Sequence, residues 1–170
     1  MKKISLISLT FLLSTFLYNI SNAQEITGVP RIIDGDTVHI NKYKIRLEGI
    51  DAPEIKQKCK KPLISFSVYI GFSINKSYSC GSVSKEKLIK KINKSSIKCI
   101  SLSKDRYNRY LATCFKDQTN LNKWLVRNGY AVAYKRYSNK YSNDEIHAKN
   151  NSLGVWQGTF IRPEKWRKLN

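Results

Sequence analysis

Two short runs carry residues that could do chemistry, Asp34-Gly35-Asp36 and Asp51-Ala52-Pro53-Glu54. With Glu48 they gather five of the chain's 12 acidic residues into positions 34–54, where the only bases are Lys42, Lys44 and Arg46 and the local charge is −2. The 170-residue chain as a whole has 31 Lys and Arg and a formal net charge of +19. Carboxylate oxygens in such an island suit a hard divalent cation, calcium or magnesium. Either run by itself also reads as an ordinary solvated turn, because Asp, Gly and Pro are turn formers. The basic surplus outside the island points to a polyanionic partner. If that partner is a phosphodiester, its hydrolysis needs an activated water, charge to offset what builds up on phosphorus, and placement of both. Arg46 and Arg109 are the right type for the second task, since a planar guanidinium donates two parallel hydrogen bonds to phosphate oxygens.

The elements that must position these groups follow from the patterning. Positions 37–40 and 43–50 are β-rich runs joined at Asn41-Lys42, a tight hairpin. Val38, Ile40, Ile45 and Leu47 share one face of it; Thr37, His39, Lys44, Arg46 and Glu48 share the other. Folding back brings Asp36 beside 47–51, so the two acidic turns meet at one end of a sheet. A second hairpin pairs 97–103 with 110–115 around a polar loop, 104–109, that carries Arg109. Helices are expected over 84–94, with Ser84 as N-cap and Leu88, Ile89 and Ile92 inward; over 121–128, closed by Gly129; and over 143–152. Trp124 and Trp156 read as core anchors. Tyr107, Tyr134 and Tyr137 sit among Arg106, Lys135 and Arg136, an interleaving that stacks bases while holding phosphates. Positions 57–79 fit either a helix or a disulfide-tied loop, and 159–170 read as a peripheral tail.

Positions 1–23 have the form of a signal peptide: Lys2 and Lys3, an apolar stretch broken by Ser5, Ser8, Thr10, Ser14 and Thr15, and a small-residue exit at Ser21-Asn22-Ala23. An uncleaved membrane anchor is the alternative. Cleavage after Ala23 leaves a mature chain of charge +17 with no membrane span. All four cysteines then lie in an oxidising compartment, where two disulfides are expected. A symmetric second hairpin sets Ser103 opposite Tyr110, Ser101 opposite Ala112 and Cys99 opposite Cys114, within bonding distance. That leaves Cys59 to pair with Cys80. Zinc is the weaker alternative, since no CxxC spacing exists and only His39 and His147 are available.

Three runs, Ile33-Asp34-Gly35-Asp36-Thr37, Arg46-Leu47-Glu48-Gly49-Ile50-Asp51-Ala52-Pro53-Glu54 and Asp105-Arg106-Tyr107-Asn108-Arg109, resemble in order and spacing the signature of the staphylococcal nuclease (thermonuclease) family. The likeness extends over about 30–156. The resemblance implies an α+β, strand-rich fold: a five-stranded OB-type barrel with about three helices, spanning 24–158 and followed by the tail. It implies calcium dependence and hydrolysis of DNA and RNA to products ending in a 3′-phosphate. By motif position, Asp36, Asp51 and the backbone carbonyl of Ala52 are the calcium ligands, Glu54 is the general base, and Arg46 and Arg109 grip the scissile phosphate. Tyr107 and Tyr134 align near the bound nucleotide, with Arg106 beside them. Ala52 stands where the family often has Thr, which a carbonyl ligand tolerates, and Asn108 stands where Gly is frequent. The expectation is a secreted or periplasmic monomer acting on DNA and RNA, with no stable protein partner. Two other classes fit part of the pattern: a non-catalytic nucleic-acid-binding OB module, and a basic protein adhering to a cell or membrane surface. The presence together of Asp36, Arg46, Asp51, Glu54 and Arg109 favours the nuclease.

Overall fold

Alternating apolar and polar side chains build a curled sheet, seen in a computed structural model that describes residues 23–65 and 73–170. The export segment expected over 1–23 lies outside the described residues except for Ala23. In chain order the strands are β1 (Gln24–Gly28), β2 (Arg31–Ile32), β3 (Thr37–Ile40), β4 (Tyr43–Leu47), β5 (Ile50–Asp51), β6 (Lys58–Ser65), β7 (Ser73–Ser79), β8 (Ile97–Lys104), β9 (Tyr110–Lys116), β10 (Thr119–Asn120) and β11 (Val132–Ala133). The helices are α1 (Cys80–Ile92), α2 (Leu121–Arg127), α3 (Ser142–Asn150) and α4 (Pro163–Leu169), with a 3-10 turn at Gly154–Gln157.

The main sheet runs β1-β8-β9-β4-β3-β2, with β10 added to β9. Its neighbours are antiparallel except for the β4–β9 pair. The two outermost strands, β1 and β2, are separated in the chain only by Val29 and Pro30, so the sheet must curl until its edges approach, as barrel closure requires. Val38, Ile40, Ile45 and Leu47 are each at most 1% exposed and form one core with Leu88 and Ile92 of α1 and Leu121, Leu125 and Val126 of α2. Each such side chain is worth about 1.5–3 kcal/mol on burial. This is the strand-rich α+β arrangement expected, with α4 as a further helix. None of the described helices is long and apolar enough to cross a membrane.

Several local expectations are corrected. The strand expected over 43–50 stops at Leu47: Gly49 turns at φ +73° and β5 leaves the main sheet to pair with β11. In the second hairpin Cys99 faces Cys114 and Ser101 faces Ala112, but a bulge at Leu102 moves Ser103 opposite Leu111 and Lys104 opposite Tyr110. Of positions 57–79, the described residues form neither a helix nor a loop but a strand pair, β6 with β7, and 66–72 lie outside the described residues. Disulfides join Cys59 to Cys80 and Cys99 to Cys114, each worth about 2–4 kcal/mol by the loop-entropy estimate. Helix α1 begins four residues earlier than Ser84, because the Cys59–Cys80 bond and the contact of Gly81 with the Glu54 backbone pin its first turn. Ser84 is therefore an interior, buried residue, and Ile89 faces solvent at 46% exposure. The 159–170 segment is not peripheral: Thr159 bridges to Lys60, and α4 packs at the acidic end of the sheet.

Candidate active site

The acidic end is assembled by short backbone bonds. Ile33 and Asp34 donate N–H groups to the Thr37 carbonyl at 3.0 and 3.3 Å, and Asp36 N–H donates to Asp34 Oδ1 at 2.9 Å, so 33–37 closes as a turn at the mouth of the β3–β4 hairpin. Leu47 N–H donates to the Asp36 carbonyl at 2.8 Å, which brings 47–51 alongside. The second acidic turn is fixed by Glu54 N–H donating to Gln57 Oε1 at 3.2 Å. Gly81 of α1 lies so close to the Glu54 carbonyl that a Cβ there would overlap it, a close approach only glycine permits.

Two expected carboxylates converge on one arginine. Asp36 and Asp51 are 3% and 1% exposed, and Arg46 joins them, donating Nη1 to Asp36 Oδ1 and Nη2 to Asp51 Oδ1 at 2.9 Å. Ala52 N–H donates to Asp36 Oδ2 at 2.8 Å, so Asp36, Arg46, Asp51 and Ala52 form a single cluster. Burial, then the neighbouring Asp36, pushes the Asp34 carboxyl up to about 6. Burial is also the largest influence on Asp51 and raises it, against the lowering effect of its bond from Arg167. Burial alone would lower the Arg46 guanidinium, but Asp36 and Asp51 outweigh it and raise it. Crowded carboxylates that resist ionisation are groups a divalent cation relieves. Among the described residues no group of three or more His, Cys, Asp or Glu side chains is disposed to hold a metal. The carboxylates of Asp36 and Asp51 are the hard oxygen donors at hand, of the kind calcium or magnesium takes.

Glu54 is reached through a residue of the 159–170 segment. Arg167 of α4 donates Nη1 to Asp51 Oδ1 at 2.9 Å and to Glu54 Oε1 at 2.7 Å, and Nη2 to Asp51 Oδ2 at 3.1 Å. The available signal was Pro163-Glu164, which opens a helix that carries Arg167 one turn on. Glu145 was also missed. It is wholly buried, facing Lys135, Lys149 and Arg162 at 2.8, 3.6 and 2.9 Å. Asn122 went unread as well; its amide donates to the Glu48 and Ala112 carbonyls, both at 3.0 Å, stitching α2 to the acidic end.

The remaining candidates make no hydrogen bond to the Asp36, Arg46, Asp51 and Glu54 side chains among the described residues. Arg109 donates Nε and Nη2 to Asp105 Oδ2 at 2.8 and 2.7 Å and lies over the Tyr107 ring. The strand that follows it, β9, lies parallel beside β4 with Leu111 opposite Arg46, so Arg109 sits in the loop two residues before that position. Asn108 takes φ +60°, the left-handed turn that a Gly would otherwise supply. Arg106 donates to the Tyr107 hydroxyl at 2.8 Å on the exposed loop. Tyr134 N–H donates to the Gly49 carbonyl at 3.0 Å and its ring meets Tyr137 edge-on. Burial first, then the carboxylates of Glu164 and Asp51, raise the Tyr134 hydroxyl.

Residues 44–158 match the family model described as staphylococcal nuclease homologue. The chain is 32% identical to an uncharacterized endonuclease of Haemophilus influenzae over 98% of its own length and 86% of that protein's. It is 26% identical to a micrococcal nuclease of Shigella flexneri, covering 84% of this chain and 80% of the other. It is also 32% identical to a succinoglycan biosynthesis protein of Rhizobium meliloti, over 79% of this chain and 66% of that one.

Proposed function

The chain belongs to the staphylococcal nuclease family and is a nuclease, and from that premise we propose that it is an exported, calcium-dependent phosphodiesterase that cleaves DNA and RNA to 3′-phosphate ends. The observation that carries the reading is the convergence of Asp36 and Asp51 on Arg46, with Ala52 N–H donating to Asp36 and Glu54 tied to Asp51 through Arg167. Asp36, Asp51 and the Ala52 carbonyl would hold calcium, which would supply positive charge beside the phosphate. Glu54 orients the attacking water and accepts its proton. Arg46 and Arg109 offer forked donors to the phosphate oxygens as negative charge grows on them. Arg106, Tyr107 and Tyr134 form the rim on which phosphates and bases of a single strand rest. Binding of this kind is largely blind to sequence. Two disulfides and a signal-peptide-like start support export to the periplasm or the medium.

The test is incubation of the purified protein with plasmid DNA and with RNA, in calcium or in chelator, followed by end-group analysis. Calcium-dependent loss of both substrates with 3′-phosphate ends is expected. Gel retardation without cleavage in calcium would assign the protein instead to the non-catalytic binding modules.

A further inference from the structure

The family match ends at 158, yet a side chain from beyond it enters the acidic cluster. We infer that Arg167 is a positioning residue of the reaction centre, its guanidinium tying the carboxylate of Glu54 to that of Asp51; this rests on the reading of Glu54 as general base.

The geometry is a fork with one shared prong. Both Nη atoms of Arg167 meet Asp51, at 2.9 and 3.1 Å, and Nη1 reaches on to Glu54 Oε1 at 2.7 Å. Glu54 is 34% exposed at its side chain, and among the described residues this is the hydrogen bond that its carboxylate makes. A flexible side chain without such a tether spends much of its time away from the water it must orient, and loss of placement by about 1 Å can cost on the order of 10²-fold in rate.

Arg167 is itself held. Thr159 N–H donates to the Lys60 carbonyl at 3.1 Å, Gln57 Nε2 to the Ile161 carbonyl at 2.6 Å, and Arg162 Nη2 to Glu145 Oε1 and the Ala133 carbonyl, each at 2.9 Å. Arg136 pairs with Glu164 at 3.1 Å. Arg162 thus anchors on the wholly buried Glu145, immediately before the helix that aims Arg167. With these donors turned to carboxylates, Arg167 acts on the acids and not as a third phosphate grip. A positive charge this close also opposes a divalent ion at Asp51, which gives the role a signature that scaffolding lacks.

The full chain carrying Arg167→Gln or Arg167→Lys is compared with the unaltered protein by calorimetric calcium titration without nucleic acid, and by single-turnover cleavage of an oligonucleotide at saturating calcium and substrate. Arg167→Gln is expected to slow cleavage by about 10-fold or more while calcium binds as tightly or more tightly. Arg167→Lys should recover part of the rate, because one ammonium meets one carboxylate at a time. An undiminished rate in Arg167→Gln overturns the inference, and so does a fall in rate accompanied by weaker calcium binding, which marks a scaffold role. If the unaltered protein neither cleaves nor binds calcium, the functional reading fails first and takes this one with it. If it does both and Arg167→Gln matches it, only the role of Arg167 falls.

Discussion

Arg46 and Arg109 carry the same fork, and the molecule holds them in opposite ways. Arg46 stands in mid-sheet on β4, its side chain 14% exposed, between two buried carboxylates. Arg109 hangs on the 104–109 loop from a single partner, Asp105, over an exposed tyrosine. The first arrangement is over-determined: strand pairing, the bond from Leu47 N–H to the Asp36 carbonyl, and the guanidinium all fix the same atoms. The second is set by one loop, and so can move with bound substrate. On the proposed reading the contrast separates a rigid centre, where charges are fixed before substrate arrives, from a rim able to close on the nucleic acid.

The largest way to break the contrast is Asp51→Asn. It removes a proposed calcium ligand and the partner of both Arg46 and Arg167, and cleavage rates should fall on the order of 10³-fold, equivalent to several kcal/mol of lost charge stabilisation. Initial rates across a calcium titration measure this. Next comes the pair of conservative exchanges. Arg46→Lys should cost about 10²-fold and Arg109→Lys about 10-fold, since both lose the fork but only the first also unties two buried carboxylates. Equal losses would erase the distinction between centre and rim.

The third way acts on the rim. The Cys99–Cys114 bond clamps β8 to β9, whose connecting loop bears Arg109. Its reduction should remove about 2–4 kcal/mol of stability and lower activity before circular dichroism registers unfolding. Non-reducing peptide mapping checks the pairing, and activity and dichroism followed together through a reductant titration check the order.

The smallest effect concerns Asp34, whose carboxyl is raised from 3.8 to about 6 by burial and then by Asp36. A raised acid favours the folded state fully below 3.8, and that contribution is lost as pH rises through about 6. Asp34→Asn keeps the acceptor for Asp36 N–H and removes the charge. Without calcium it should melt higher than the unaltered protein at pH 8, by roughly 2–4 °C per kcal/mol relieved, and nearly level with it at pH 4.5. A difference independent of pH would rule out the charge as its cause.

Much of this was legible because the informative residues are local. The Asn41-Lys42 turn and the alternation of Val38, Ile40, Ile45 and Leu47 fix a hairpin, and a hairpin dictates that 36 and 47–51 meet. The pairing of Cys99 with Cys114 follows from the same kind of register. Three of the misses show why. The bulge at Leu102 has no signal in alternation, because an exposed leucine on a strand edge looks like any other apolar residue. The start of α1 was misplaced because a disulfide and a glycine contact, not a capping serine, define it. Arg167 lies 113 residues from Glu54, and no pattern within a 12-residue tail says where its helix docks; that is settled by Gln57, Ala133 and Glu145, each from a different part of the chain.

The role of the acidic end as a catalytic centre is tested most directly by Glu54→Gln, which keeps the shape of the side chain and removes its ability to accept a proton. Single-turnover cleavage in saturating calcium is measured beside the dissociation constant for the same oligonucleotide. The rate should fall by about 10²- to 10⁴-fold with binding essentially unchanged. A Glu54→Gln protein that cleaves at the unaltered rate would contradict that role.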